Sequence, residues 1–288
     1  LSEPDRVFTG VVEVADGVSL AFEVRGEVRG EARGGRPAIA LIMGLGGHRG
    51  DWGEPFLRAL AAGLTVVAFD ARGTGGSSKP RAPTSIAQMA ADARAVIEHV
   101  GLGTTHVMGM SMGGAVAMQL ALDAPRLVAS LVLCSTSPGG PSAFAPTERA
   151  AAAMAPRKNV SPEVVVRDRI AALMPPGFAE AHPDVIEHAM RASLAAPTPM
   201  YAWRAQLEAV LSMDLRAELH RLSMPVTVVH GEADPLVRFD QGRAIAAAIP
   251  QARTRWLPAG GHLLSLEQPA ELAALVIEHV ASVAPSTR

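Results

Sequence analysis

The chain has 288 residues, 49% hydrophobic and 19% charged, which is enough apolar material for one large domain with a full core. Its 26 basic and 28 acidic residues leave a net charge of −2 with no basic block, so there is no electrostatic footprint for nucleic acid or for an anionic membrane surface. A single cysteine, Cys134, excludes an intrachain disulfide and a cysteine-rich metal site, and no apolar run approaches the roughly 18 residues of a membrane span.

The polar opening stretch, residues 1–8, lacks a charged-then-apolar leader pattern, and the expected location is cytoplasmic. Residues 7–13 and 18–24 alternate apolar and polar positions around Asp16-Gly17, a turn pair that predicts an antiparallel hairpin. A Gly-rich, charged loop over 26–36 leads into 37–43, an unbroken apolar run that predicts a strand buried on both faces. Gly44, Gly46 and Gly47 keep the next loop bare; 51–62 has helical periodicity, and 64–69 reads as another buried strand. That strand empties into Asp70-Ala71-Arg72-Gly73-Thr74-Gly75-Gly76, too glycine-rich for regular structure. Ser85 with Gln88 three residues on has the pattern of a capping box, opening a helix whose apolar face carries Ile86, Met89, Ala93, Val96 and Ile97. His106 reads as preceding the next strand, at its far end from any site. Val107-Met108 predicts that strand, Ala115 to Leu122 a helix, and 128–134 a strand ending in a buried structural thiol, Cys134. From 37 to 134 strand and helix alternate in the rhythm of a parallel sheet covered on both faces.

The rhythm then breaks. Over 138–220 the sequence is alanine-rich, helical in pattern and punctuated by prolines, which predicts several short helices. The alternation resumes with a strand at 226–229, a helix at 241–249, a strand at 254–257 and a last helix at 270–283. The expected organisation is an α/β core made of 1–137 and 221–288, a mostly parallel doubly wound sheet with an N-terminal antiparallel hairpin, carrying a helical cap over 138–220. Large apolar residues of that insertion, among them Phe144, Met154, Met200 and Trp203, are expected to pack the cap on the sheet or, with Met43 and Leu263, to line an apolar pocket.

Within the alternating region stands Gly109-Met110-Ser111-Met112-Gly113-Gly114, between an apolar strand and a small-residue helix. Glycines two before and two after the serine remove Cβ atoms that collide when a chain reverses tightly, so Ser111 can take a strained conformation at the head of a helix. There the amide N–H groups and the positive end of the helix dipole favour a developing oxyanion. The same residues also suit a glycine-rich helix start capped by a serine, and this stretch alone does not choose. A serine nucleophile needs a base, and the base a carboxylate that fixes its tautomer. In a parallel sheet the loops after the strands converge on one edge. Three of them carry the groups: Ser111; His230-Gly231-Glu232-Ala233-Asp234, with Asp234 the candidate acid ahead of Glu232 and Asp240; and Pro258-Ala259-Gly260-Gly261-His262, where two glycines expose His262. His230 is expected to pack beneath such a site, and His182 and His188 to be solvated surface groups with no third metal ligand. Gly44-x-Gly46 lacks the third glycine spacing and downstream acid of a dinucleotide loop, and no phosphate-loop motif occurs.

The order Ser, Asp, His on these elements, with the glycine loop after the third strand and the Asp-x-Arg-Gly-x-Gly loop after the fourth, resembles the α/β-hydrolase fold family over nearly the whole chain. The resemblance implies that Ser111 is the nucleophile, His262 the general base and acid, and Asp234 the orienting carboxylate. It implies an oxyanion hole made by the main-chain N–H groups of Met112, directly after the serine, and Leu45. Met43-Gly44 replaces the family's usual His-Gly at the start of that second loop; His48 stands a few residues on. Asp70 and Arg72 are expected to brace their loop. The implied activity is cofactor-independent, metal-free cleavage of an ester or lactone of a small, largely apolar molecule through an acyl-enzyme, in a monomer or homodimer. C–C bond hydrolysis, thioester cleavage, acyl transfer and perhydrolysis fit the same machinery. Epoxide and haloalkane opening do not, because those branches carry Asp at the nucleophile position. A non-hydrolytic cyclase or a binding protein on the fold is the alternative of a different class.

Overall fold

A computed structural model of the chain describes residues 7–26, 36–141, 143, 145–155 and 157–283. Its strands are β1 (Val7–Glu13), β2 (Ser19–Arg25), β3 (Ala38–Ile42), β4 (Thr65–Phe69), β5 (Thr105–Met110), β6 (Val128–Cys134), β7 (Val226–Gly231) and β8 (Arg253–Leu257). They form one sheet in the order β1-β2-β4-β3-β5-β6-β7-β8. β1 and β2 run antiparallel to each other, as β2 does to β4, and every later pairing is parallel.

The apolar runs without alternation become the inner strands because both of their faces are covered. Side chains along a strand alternate sides, and the core divides accordingly. Ala40, Ile42, Val67, Phe69, Val107, Leu131, Leu133 and Val228 join one apolar cluster, while Ile39, Leu41, Val66, Ala68, Met108, Val132 and Val229 join another. The first cluster is closed by α2 (Ile86–Val100), α3 (Met112–Asp123) and α9 (Phe239–Ala248). The second is closed by α1 (Glu54–Ala61), the short α10 (Leu264–Glu267) and α11 (Pro269–Ser282). This is the three-layer α/β arrangement that the alternation of strand and helix predicts.

Between β6 and β7 the described residues hold no strand but the helices α4 (Glu148–Met154), α5 (Pro162–Leu173), α6 (Phe178–Ala181), α7 (Pro183–Ala195) and α8 (Met200–Leu211), followed by a tight helical turn at Leu219–Arg221. This excursion leaves and rejoins the sheet through one neck. Gly140 N–H donates to Met213 O at 3.0 Å and Leu215 N–H to Pro138 O at 2.8 Å. Gly139 makes that closeness possible, since a Cβ there would lie 2.4 Å from Met213 O.

Three local expectations are revised. The hairpin turn is a five-residue connection around Ala15–Gly17, with Asp16 and Gly17 both left-handed at φ 65 and 68. The helix expected at 51–62 is broken by Gly53 (φ 82), leaving a tight turn at Arg49–Trp52 before α1. His106 lies inside β5 rather than ahead of it, and its Nδ1 meets Ser130 Oγ at 2.7 Å.

Candidate active site

β5 ends at Met110 and α3 begins at Met112, so the whole reversal falls on Ser111, which sits at φ 56, ψ −124. Such a conformation costs a non-glycine residue about 1 to 3 kcal/mol and persists only where the surroundings impose it. Here Ser111 N–H donates to Cys134 O at 2.9 Å and Thr136 Oγ1 donates to Ser111 O at 2.6 Å. The flanking glycines serve close approach: a Cβ at Gly109 would stand 2.1 Å from Gly113 O, one at Gly113 1.9 Å from Ile42 O, and one at Gly114 2.5 Å from Thr136 Oγ1.

Two neighbouring strand ends carry the other groups. After β7 the chain turns through Gly231, and Asp234 Oδ1 accepts the N–H groups of Leu236 and Val237 at 2.8 and 2.9 Å. Its Oδ2 accepts His262 Nδ1–H at 2.8 Å, with His230 Nε2 also 3.4 Å away. Burial works to raise the Asp234 pKa, but the adjacent His262 charge, the nearby His230 ring and the hydrogen bond from His262 outweigh it and hold the carboxyl at about 2. Glu232 and Asp240, the rival acids, are exposed. With Nδ1–H committed to a carboxylate, His262 is left with its lone pair on Nε2. Ser111 Oγ and His262 Nε2 make no hydrogen bond to each other or to any other described residue.

The backbone around His262 is held at three points. Its own N–H donates to Leu173 O, at the end of α5, at 3.0 Å. Gly261 N–H and Leu263 N–H donate to the two oxygens of Glu267, at 2.6 and 2.8 Å. Burial pushes the Glu267 pKa up to about 7, although both amides and His262 favour its charged form. Nothing in the local sequence marks Glu267 or Leu173 as belonging to this loop.

The glycine loop after β3 lies against the serine: a Cβ on Gly44 would be 3.1 Å from Ser111 Cβ and 3.6 Å from its Oγ. Leu45 and Met112 line a cleft with Ser111, and neither of their N–H groups donates to a described residue. The cleft has about 40 Å³ of free space and is bounded by apolar side chains, including Ala115, Leu207, Val210, Met213, Leu236 and Val237, with no charged residue among them. Of the pocket residues expected from sequence, Met43 packs into the core beside Ile39 and Leu41, and Leu263 packs against that same core. Met200 is 48% exposed and Met154 half-buried on α4. Trp203 covers the glycine loop, its Cδ1 2.6 Å from where a Gly46 Cβ would stand. None of these five lines the cleft, and Phe144 lies outside the described residues. The cleft face of α8 is Leu207 and Val210, three apart, a helical spacing continuous with Trp203 that the sequence does contain.

The remaining polar candidates brace the frame. Arg72 pairs with Asp92 at 2.6 and 2.7 Å, both buried, and Asp70 pairs with Arg49 and accepts Gly76 N–H at 2.7 Å. His48 caps its turn by accepting Gly50 N–H and reaches Ala192 O on α7 at 3.0 Å, and it is buried. His182 and His188 are exposed, and among the described residues no cluster of His, Cys, Asp or Glu is arranged to hold a metal. Likewise, no described helix is long and apolar enough to cross a membrane.

Known proteins share this architecture. A poly(3-hydroxyalkanoate) depolymerase of Ectopseudomonas oleovorans is 31% identical over 78% of this chain and 77% of its own length. A protein of Variovorax paradoxus named for carbamate hydrolysis is 31% identical over 85% and 92%. The crystal structure of a hydrolase from Pseudomonas aeruginosa superposes with a TM-score of 0.80 at 30% identity, covering 95% of this chain and 98% of that one. Residues 37–269 match the family model described as the alpha/beta hydrolase fold, and the chain belongs to that family of hydrolases.

Proposed function

We propose that the protein is a serine hydrolase that cleaves an ester or lactone with a small, largely apolar acyl part, through an acyl-enzyme and without a cofactor. Ser111 Oγ attacks the carbonyl carbon as His262 Nε2 takes its proton, and Asp234 stabilises the imidazolium without itself being protonated. The negative charge that develops on the carbonyl oxygen falls to the N–H groups of Leu45 and Met112, an arrangement that contributes about 3 to 4 kcal/mol per donor. His262 then gives its proton to the leaving oxygen; it next takes a proton from water, whose oxygen attacks the acyl carbon, and as the acyl–Oγ bond breaks it returns that proton to Ser111 Oγ. Residues 138–220 act as a cap whose α8 side chains close over the acyl part.

The observation that carries this reading is the strained Ser111 turn at the same sheet edge as a histidine oriented at 2.8 Å by a buried carboxylate. The choice of an ester with an apolar acyl part is supported by the cleft, which offers no charged side chain to a charged substituent. A relative named poly(3-hydroxyalkanoate) depolymerase is in keeping with that chemistry. The test is turnover of short and medium p-nitrophenyl esters, with a fluorophosphonate label located by mass spectrometry. Serine-dependent turnover that disappears in Ser111→Ala, with the label on Ser111, is expected. Label absent from Ser111 in folded protein would refute the reading.

A further inference from the structure

Gln206 is a buried polar residue for which the chemistry above has no use. It lies on α8, 1% exposed, beside the cleft residue Leu207. Its side-chain oxygen accepts Gly46 N–H at 2.8 Å across 160 residues of sequence, and its nitrogen donates to Arg72 O at 2.9 Å across 134. One side chain therefore ties a helix of the β6–β7 excursion to the loop after β3 and to the loop after β4.

The position of the first contact matters. Gly46 follows Leu45, and the peptide unit that joins them is planar, so holding Gly46 N–H fixes the plane on the C-terminal side of Leu45. On the other side, Gly44 is packed against Ser111, and Gly47 N–H closes the turn onto Gly44 O at 3.1 Å. Thr198 Oγ1 donates to Gly46 O at 2.8 Å, and Trp203 covers Gly46, which sits at φ 71 where it has no side chain of its own to anchor it. The far end of the Gln206 bridge is stiff as well, because Arg72 is pinned by its two bonds to Asp92. The Gly46 end of this glycine-rich loop is thus held by α8 and by Thr198 just ahead of it.

We propose that Gln206 is a positioning residue that makes the direction of the Leu45 N–H depend on the seating of α8, so that the oxyanion hole is complete only when the cap is docked. This rests on the assignment of Leu45 and Met112 as oxyanion donors. A residue that merely fastened the cap would alter stability or substrate affinity. A residue that aims an oxyanion donor alters the chemical step, because the donor acts on charge that appears only in the transition state.

The experiment compares Gln206→Met, which keeps length and loses both polar atoms, with Gln206→Glu, which keeps an oxygen opposite Gly46 N–H. Wild type and Ser111→Ala are run in parallel. Readouts are kcat and KM on p-nitrophenyl butyrate, the rate of fluorophosphonate labelling at Ser111, and thermal unfolding. In Gln206→Met, kcat is expected to fall roughly 10- to 100-fold with KM changed less than about 3-fold, and labelling to slow by a similar factor. Gln206→Glu is expected to recover at least half of the loss on a logarithmic scale. Unchanged kcat in folded Gln206→Met, a change confined to KM, or a Glu variant no better than the Met variant overturns the proposal. Where Gln206→Met does not fold, Gln206→Asn, one methylene short of both partners, replaces it with the same expectations. Full activity in Ser111→Ala would bring down the hydrolase reading and this inference together. A dead Ser111→Ala beside a fully active Gln206→Met would bring down the role of Gln206 alone.

Discussion

Replacing Asp234 by Asn changes one atom's chemistry and leaves the shape of the site intact. In the native site Oδ1 accepts from Leu236 and Val237 N–H, and Oδ2 accepts from His262 Nδ1–H. The asparagine carbonyl can keep the two backbone amides only by turning its NH₂ toward His262 Nδ1. Two donors then face each other, so the imidazole must move its proton to Nε2, where it can no longer accept one from Ser111. A loss of about 10³- to 10⁴-fold in kcat follows. Stability changes in a second, separable way. Asp234 titrates at about 2 when folded against an ordinary 3.8, which corresponds to about 2 kcal/mol. The folded pKa is depressed, so the unfolded chain binds the proton first. This contribution is present above pH 3.8 and is lost as pH falls through about 2. The assay is p-nitrophenyl ester turnover at pH 7.5 together with urea unfolding of wild type and Asp234→Asn at neutral and acid pH. The variant should be nearly inactive while folded, with less of its stability lost on acidification. Activity within tenfold of wild type would refute the tautomer argument, and an unchanged acid limb would refute the stability argument.

Two further outcomes are expected. Ser111→Gly removes the side chain from a residue at φ 56, so it should abolish turnover yet raise the unfolding free energy by about 1 kcal/mol; equal or lower stability would show that the turn stores no strain. At the opposite end of the sheet, His279 is buried between Thr227 Oγ1 at 2.8 Å and Ser130 Oγ at 2.8 Å, and burial, followed by the charges of His106 and Arg253, lowers its pKa from 6.5 to about 4. Between those values the unfolded chain binds more protons, so stability should fall as pH drops through that window by about 3 kcal/mol. Urea titrations at pH 7 and 4.5 measure this, and His279→Gln should flatten the loss; an equally steep loss in the variant would assign it to other groups.

Much of the fold, and the residues of the candidate site, can be picked out along the chain because their signals are local. The unbroken apolar runs at β3 and β4 need cover on both faces wherever they sit, and that requirement implies helices on either side of a parallel sheet. Gly109 and Gly113 bracket Ser111 because backbone passes within 2.1 Å or less of where their side chains would start, Gly114 because the Thr136 side chain lies 2.5 Å from such a point, and turn glycines likewise precede Asp234 and His262. Each of these loops announces itself within five or six residues.

What the tertiary structure alone decided are the groups whose partners lie far away in sequence. Gln206 is an ordinary helical glutamine until α8 sets it between Gly46 and Arg72. Glu267 is an ordinary acid in a short helix until it closes back on the amides either side of His262. Ser130 is a strand serine until His106 and His279, the latter 149 residues away, meet at its hydroxyl. The apolar residues of the excursion divided in the same way: Met200 was left in solvent, Trp203 went to the glycine loop, and Leu207 and Val210 took the cleft. Hydrophobicity says that such residues seek cover, but it is non-directional, and only the packing of helix against sheet determines which surface covers which side chain.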